Sequence, residues 1–425
     1  MFKLEEHGTS VRTELLAGLT TYMTMVYIAF VNPAMLAETG MDRGAVFVAT
    51  CLAAAFGSAF MGLYANYPVA LAPGMGLNAY FTYSVVKGLG IPWQAALAAV
   101  FASGVLFLLI SVTPLRQWII DSISKSQKLA ISVGIGFFLA VIGLNSAGLI
   151  AGDPVTLVKL GDLKSPAVAI AAAAFVLMAA LDARRIPGAI LIGILGAYLA
   201  ALLLGLAPFA GVASMPPPIA PVFLKLDFAA LLDLAMLPVV LTLLFVVLFD
   251  NTGTLIGVAR AAGMMRPDGS LPRLERALTV DSTSTMVGAA LGTSTTTSYI
   301  ESAAGVNAGG RTGLVALTVA ALFLATLFFA PLAGSIPAFA TAPALIFVGC
   351  LMMAGAKDID FDDPAEYVPA AVTIIAIPLT FSIADGIAFG FVAYAGTKLL
   401  AGRWNELSLA VGLLTALFVL RFALL

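Results

Sequence analysis

Charge is scarce in this chain. Only 10% of its 425 residues are Asp, Glu, Lys or Arg, against roughly 25% in a water-soluble globule. With 61% hydrophobic residues and a mean hydropathy of +1.05, the composition excludes an ordinary soluble enzyme or binding module. The net charge is −2 and there is no run of like charges, so no basic surface is available for nucleic acid. Histidine is limited to His7, in the polar leader, and the two cysteines, Cys51 and Cys350, lie in apolar segments. Neither a histidine-rich metal site nor a disulfide framework is available, and no cofactor is implied. The N-terminus MFKLEEHGTSVRTELLAG lacks the charged, then apolar, then small pattern of a cleaved signal peptide. Insertion is therefore expected to use the first helix itself.

What remains is apolar sequence in blocks. A helix needs roughly 20 such residues to cross the hydrocarbon, and the blocks read as seven in residues 1–210 and seven in 237–425, joined by a linker at 211–236. Pro216, Pro217 and Pro218 cannot continue a helix and mark that linker. A last stretch, 405–424, is left open as an additional crossing. Seven is odd, so two seven-helix units insert with opposite orientation, as an inverted repeat. The third and tenth segments, PVALAPGMGLNAYF (68–81) and LGTSTTTSYIESAAG (291–305), are unusually short and interrupted. Each reads as a half-strand leading into a helix, and such a matched pair points to a midplane binding site. Fifteen of the 21 Lys and Arg residues, Arg116 among them, fall on the N-terminal side and five on the other. The positive-inside rule then makes the N-terminus cytoplasmic.

Ionisable groups at membrane depth are expensive and mark sites where a substrate, ion or proton is handled. Asp250, in FVVLFDNTGTLIGVA, and Glu301, in GTSTTTSYIESAAGV, are two such groups. Ser298 and Glu301 also have the spacing of a capping box, a structural reading that competes with the functional one. Asp281 and Asp385 lie nearer to segment ends, where caps or interhelical bonds are expected. In the third segment Pro73, Gly74 and Gly76 open the backbone, and the helix that follows presents free N–H groups. Asn78 adds a donor and an acceptor just inside it. No Lys or Arg is read within the spans, which disfavours an anion held by a fixed positive charge. Acceptors plus an amide suit a neutral planar ligand with N–H groups. A carboxylate that takes up and releases a proton is also the minimal device for proton coupling. Tyr27, Tyr80 and Tyr299 are candidates to stack on a ring.

Five stretches carry a resemblance to a known family: GLTTYMTMVYIAFVNP (18–33), ALAPGMGLNAYF (70–81), LFDNTGTLIGVA (248–259), GTSTTTSYIESAAGVNAGGRTGL (292–314) and IADGIAFGF (383–391). In these the chain closely resembles the AzgA-type purine permeases, the guanine, hypoxanthine and adenine branch of the nucleobase:cation symporter two family. The resemblance implies an all-α polytopic fold of 14 transmembrane segments in two inverted repeats. A core domain, about 15–113 plus 237–334, would move against a gate domain, about 128–207 plus 338–425, in an elevator-like cycle. It implies no enzymatic activity, but import of a purine base with a proton, sodium being the less favoured ion, across the inner membrane. Substrate contacts would fall on Glu301, Asp250, Asn78, Ala79, Thr297 and Tyr299, and proton coupling on Asp250, Glu301 and Asp281. A homodimer formed through the gates is a fold-level analogy. Asn251 replaces a common family threonine and Tyr80 a common phenylalanine; neither removes a charge. The stretch SAAGVNAGGRTG lacks the NxGxxxxTR-type signature of the uracil and xanthine branch. The rival expectations are a permease of that branch, or a sulfate-permease-like anion transporter of the same fold.

Overall fold

The computed structural model describes residues 2–113, 122–266 and 271–424; Arg116 lies outside the described residues. Among them, nine helices are long and apolar enough to cross a membrane, from Val11–Ala37 to Ile383–Leu400. Ala189–Leu203, Pro364–Thr380 and Leu409–Leu420 are shorter apolar helices. The protein is a helical polytopic membrane protein. Helices dominate because lipid offers no partner for a backbone N–H or C=O, so each segment must satisfy its own.

The first span begins at Ser10, whose Oγ accepts from the Thr13 amide at 3.2 Å, and runs as α1 (Val11–Met25) and α2 (Ile28–Ala37). Between them the amides of Ala29 and Phe30 bond to Val26 O and Tyr27 O, both at 3.0 Å. This three-residue spacing tightens the turn in mid-span, a feature that often marks a functional position. Next come α3 (Arg43–Phe60), strand β1 (Leu71–Pro73), α4 (Met75–Ala79, continued by a wider turn over Tyr80–Gly88) and α5 (Trp93–Ser111). Helix α6 (Lys125–Ser146) leads into the hairpin β2 (Ile150–Asp153) and β3 (Leu157–Leu160), then α7 (Pro166–Ala183) and α8 (Ala189–Leu203). The second half contains α9 (Met236–Ala261), α10 (Leu274–Leu291), β4 (Thr296–Ser298), α11 (Ser302–Asn307), α12 (Gly313–Thr326), α13 (Ala330–Ser335) and α14 (Ala338–Met353). It closes with α15 (Pro364–Thr380), α16 (Ile383–Leu400) and α17 (Leu409–Leu424).

By its internal contacts the chain divides into two compact units, 1–108 with 142–347, and 109–141 with 348–425. In the first, β1 pairs antiparallel with β4, Leu71 opposite Ser298, Ala72 opposite Thr297 and Pro73 opposite Thr296. The ladder is extended by Gly74 N to Thr295 O and Tyr299 N to Ala70 O, both at 2.9 Å. Against this pair pack α2, α3, α9 and α10. Two glycines make one approach possible: a Cβ on Gly313 would lie 2.1 Å from the Gly62 carbonyl oxygen, so α12 and the wider turn that continues α3 over Met61–Ala65 meet backbone to backbone. Asn66, left-handed at φ 54°, ends that region and accepts from the Gly313 amide at 2.7 Å.

In the second unit α15 and α16 pack against each other, beside a buried cluster of Ala130, Ile359 and Ala370. Here the structure corrects the expectation that no cation lies within a span. Lys398, in the last turn of α16, is fully buried. Its charge is matched by Glu366 at 2.8 Å, Glu406 at 2.6 Å and Asp363 at 3.7 Å. Arg403 adds bonds to Asp363 at 2.5 Å and Glu406 at 2.6 Å.

Candidate functional site

The hydroxyl run Thr293–Ser298 would be an odd choice for a lipid-facing segment, and none of it faces lipid: every one of these residues is at most 3% exposed. Small β-favouring hydroxyl residues allow an extended chain here, and pairing with β1 satisfies the backbone that a helix would otherwise satisfy. Each strand then hands over to a helix at the same place. The N-cap of α4 is Gly74 and that of α11 is Glu301.

Side chains from several elements lock this arrangement. The Tyr299 hydroxyl donates to Pro73 O at 2.5 Å, and the Ala70 amide donates to Ser302 Oγ at 3.0 Å. Ser58 Oγ accepts from the Leu71 amide at 2.9 Å and donates to Leu71 O at 3.1 Å. Thr285 Oγ1 donates to Thr296 O at 3.0 Å. Thr297 packs so closely on Gly74 that a Cβ there would lie 2.8 Å from its Oγ1.

Within this frame lie most of the residues the sequence singles out. Ser294 Oγ donates to Asn78 Oδ1, while Asn78 Nδ2 is buried with no partner among the described residues. Ala79 follows it, fully buried. Glu301 is half-buried, and its Oε1 accepts from the Tyr27 hydroxyl at 2.9 Å. Because Glu301 is itself the N-cap of α11 and Ser298 Oγ donates elsewhere, the capping-box reading of the SxxE spacing does not hold. Ser298 Oγ bonds to Asp281 Oδ1 at 2.8 Å. Asp281 is also not at a helix start. Since α10 begins at Leu274, Asp281 lies two turns in, fully buried, with Oδ2 unpartnered among the described residues. Asp385, by contrast, lies in the first turn of α16, whose N-cap Ser382 accepts from the Asp385 amide at 3.1 Å.

Asp250 stands on α9, which packs against β4 and α11. It is half-buried, on the same helix face as the exposed Gly253 and Gly257. A side chain at Gly253 would meet no atom within 4 Å, so this face borders open space. The adjoining Asn251 is fully buried, with both amide atoms unpartnered among the described residues. Asp250 therefore joins the strand-pair cluster by packing of its helix.

Two contributors have roles the sequence does not give: Tyr27, read there as a candidate ring-stacking aromatic, is a hydrogen-bond partner of Glu301, and Asn32 is not singled out at all. Tyr27 is 1% exposed and reaches Glu301 across 274 positions of sequence. Asn32, fully buried, donates to Thr50 Oγ1 at 2.8 Å and to Thr293 Oγ1 at 2.9 Å, tying α2 and α3 to the approach to β4. Their local signal is only a polar group inside an apolar helix. No ion pair involves Asp250, Asp281 or Glu301 among the described residues.

The fold of paired short strands flanked by carboxylates, inside a helical membrane protein, is shared with solved membrane-protein structures. The transmembrane domain of the cyanobacterial bicarbonate transporter BicA superposes with a TM-score of 0.64 at 16% identity, covering 90% of this chain and 97% of that one. Murine Slc26a9, an anion transporter, gives 0.65 at 11% identity, covering 92% and 68%. More particularly, residues 12–389 match the Permease family (Xan_ur_permease), and the chain belongs to it. The adenine permease AdeP of Escherichia coli (strain K12) is 46% identical over 421 residues, 99% of this chain and 95% of its own. The guanine/hypoxanthine permease PbuO of Bacillus subtilis (strain 168) is 44% identical over 433 residues, 100% of both chains.

Proposed function

We propose that this permease imports a neutral purine base (hypoxanthine, guanine or adenine) together with a proton, by elevator-type alternating access. The observation that carries this reading is the Glu301 carboxylate at the start of the helix that follows β4, matched by Asn78 in the helix that follows its partner β1, with Asn78 Nδ2 unpartnered among the described residues. A carboxylate accepts N–H bonds from a heterocycle and the amide nitrogen donates to a ring nitrogen or carbonyl. Names of relatives that are adenine and guanine/hypoxanthine permeases support the purine class. Glu301 and Asn78 contact the base, with Ala79, Thr297 and Tyr299 shaping its surroundings. Asp250 binds the base or couples its binding to protonation, and Asp281 belongs to the same coupling. The protein sits in the inner membrane with its N-terminus cytoplasmic. Its segments through Leu400 form fourteen in two inverted repeats, split between a core (15–113 with 237–334) and a gate (128–207 with 338–425).

Uptake of labelled hypoxanthine into proteoliposomes under an inward proton gradient tests this. Uptake should require the gradient, be competed by purines and not by uracil, and fall at least about tenfold in Glu301→Gln, the size of one hydrogen bond to a charged group. Absence of uptake by well-folded wild type, or competition by uracil alone, would sink the assignment.

A further inference from the structure

We infer that Tyr27 is a specificity-determining residue: by holding one oxygen of Glu301, it biases the site toward bases that present a single N–H donor on the recognised edge. The inference rests on the purine reading and deepens it. A free carboxylate is a fork. Its two oxygens suit a ligand with two parallel donors, in the way they suit a guanidinium. Here Oε1 already accepts from the Tyr27 hydroxyl at 2.9 Å, which takes one of its two lone pairs and sets the phenol beside it, so Oε2 is the oxygen left fully open to a ligand.

The tyrosine is held in place from several directions. It is 1% exposed, and it sits at the point where the first span tightens to three-residue bonds, its own carbonyl accepting from Phe30 N and Val31 N at 3.0 Å each. On the preceding turn, Thr24 Oγ1 lies 3.5 Å from the Glu301 carbonyl oxygen, so the same segment touches both ends of Glu301. Asn32, one turn beyond, fixes α2 to Thr293 at 2.9 Å. A phenol anchored at both flanks is not free to swing aside when a ligand arrives.

The purines differ in what this leaves for them. Guanine presents N1–H and the 2-amino N–H side by side and needs both oxygens to satisfy them. Hypoxanthine presents N1–H alone, and adenine a single amino group beside the ring acceptor N1. With one lone pair of Oε1 taken and the phenol crowding the other, the second donor of guanine gains little over hypoxanthine, and a buried donor poorly matched is a cost.

Competition against labelled hypoxanthine, with wild type and Tyr27→Phe in the same proteoliposomes, tests the inference. In the wild type, guanine and hypoxanthine should compete within about threefold of each other, the two differing by less than one effective hydrogen bond. In Tyr27→Phe the freed oxygen should improve guanine relative to hypoxanthine by about tenfold, one hydrogen bond to a charged group. In Tyr27→Phe/Glu301→Gln that gain should vanish, because an amide offers one oxygen. A phenylalanine variant that weakens both bases in parallel has lost only structure, and overturns the inference. A wild type that already prefers guanine by tenfold overturns it as well, whether or not the variant folds. No purine uptake by wild type at all defeats the functional reading itself, an outcome distinct from a transporting wild type whose selectivity ignores Tyr27.

Discussion

Lys398 shows what a single charged residue demands of its surroundings. An ammonium taken out of water must be paired, and removing one partner of a buried pair costs roughly 3–5 kcal/mol. Here Glu366 is 14% exposed and Glu406 43% exposed, so water shares part of the load. Lys398→Met should therefore lower stability by about 2 kcal/mol, below that range, read as a drop in the thermal unfolding midpoint of the purified protein. The flanking acids add a pH dependence. Hydrogen bonds from Arg403 hold the carboxyls of Asp363 and Glu406 below the usual carboxylate range. Groups depressed in this way contribute stability that is present above their unfolded pKa, about 4, and lost as pH falls through the lowered folded values. The wild-type midpoint should thus be insensitive to these two acids between pH 7 and 5 and fall below about pH 4; an equal fall in Arg403→Gln would show that the node is not its origin. Residues of this kind differ in how visible they are in sequence. Asp250 and Glu301 stand out because carboxylates interrupt apolar runs. Asn32 does not, and Tyr27 is visible only as an aromatic, because their roles lie in partners 261 and 274 positions away.

At the scale of elements, the least helical segments are the ones that position the chemistry. Proline and glycine in 68–81 and the hydroxyl run of 291–305 announce broken helices, and these become β1 and β4. The start of α10 is less visible: LERALTVD carries charge, so its first turns look like loop, and Asp281 falls two turns deeper than hydropathy alone suggests. The strand pair is kept in place by helices that meet without side chains between them. Gly313 is the sharpest case, with the Gly62 carbonyl oxygen where its Cβ would go, at 2.1 Å. Backbone cannot rotate out of the way as a side chain can, so Gly313→Ala must push α12 from α3 and weaken the Asn66 bond to the Gly313 amide. Overpacking of this sort costs about 1–3 kcal/mol. The variant should show a lower unfolding midpoint, while Gly334→Ala, where a Cβ meets nothing within 4 Å, should unfold with the wild type.

At the scale of the whole molecule, the same fold serves BicA, a bicarbonate transporter, and Slc26a9, an anion transporter, yet fold does not choose cargo. In this chain the strand pair is flanked by Asp250, Asp281 and Glu301, and no ion pair compensates them among the described residues. Carboxylates would repel an anion at this site, whereas a neutral base bound with a proton adds positive charge to it. The sign of that charge has a consequence for the complete cycle. If one proton crosses with each neutral base, one net positive charge crosses too, and a potential of 100 mV, negative inside, supplies about 2.3 kcal/mol. Since each 1.4 kcal/mol is tenfold, hypoxanthine should accumulate about fifty-fold in proteoliposomes energised by a potassium diffusion potential, with no pH gradient imposed. Sulfate or bicarbonate in excess should leave that accumulation unchanged. Equilibration to equal concentrations on both sides, indifferent to the potential, would mean that base and charge move independently and that the three carboxylates serve binding rather than coupling.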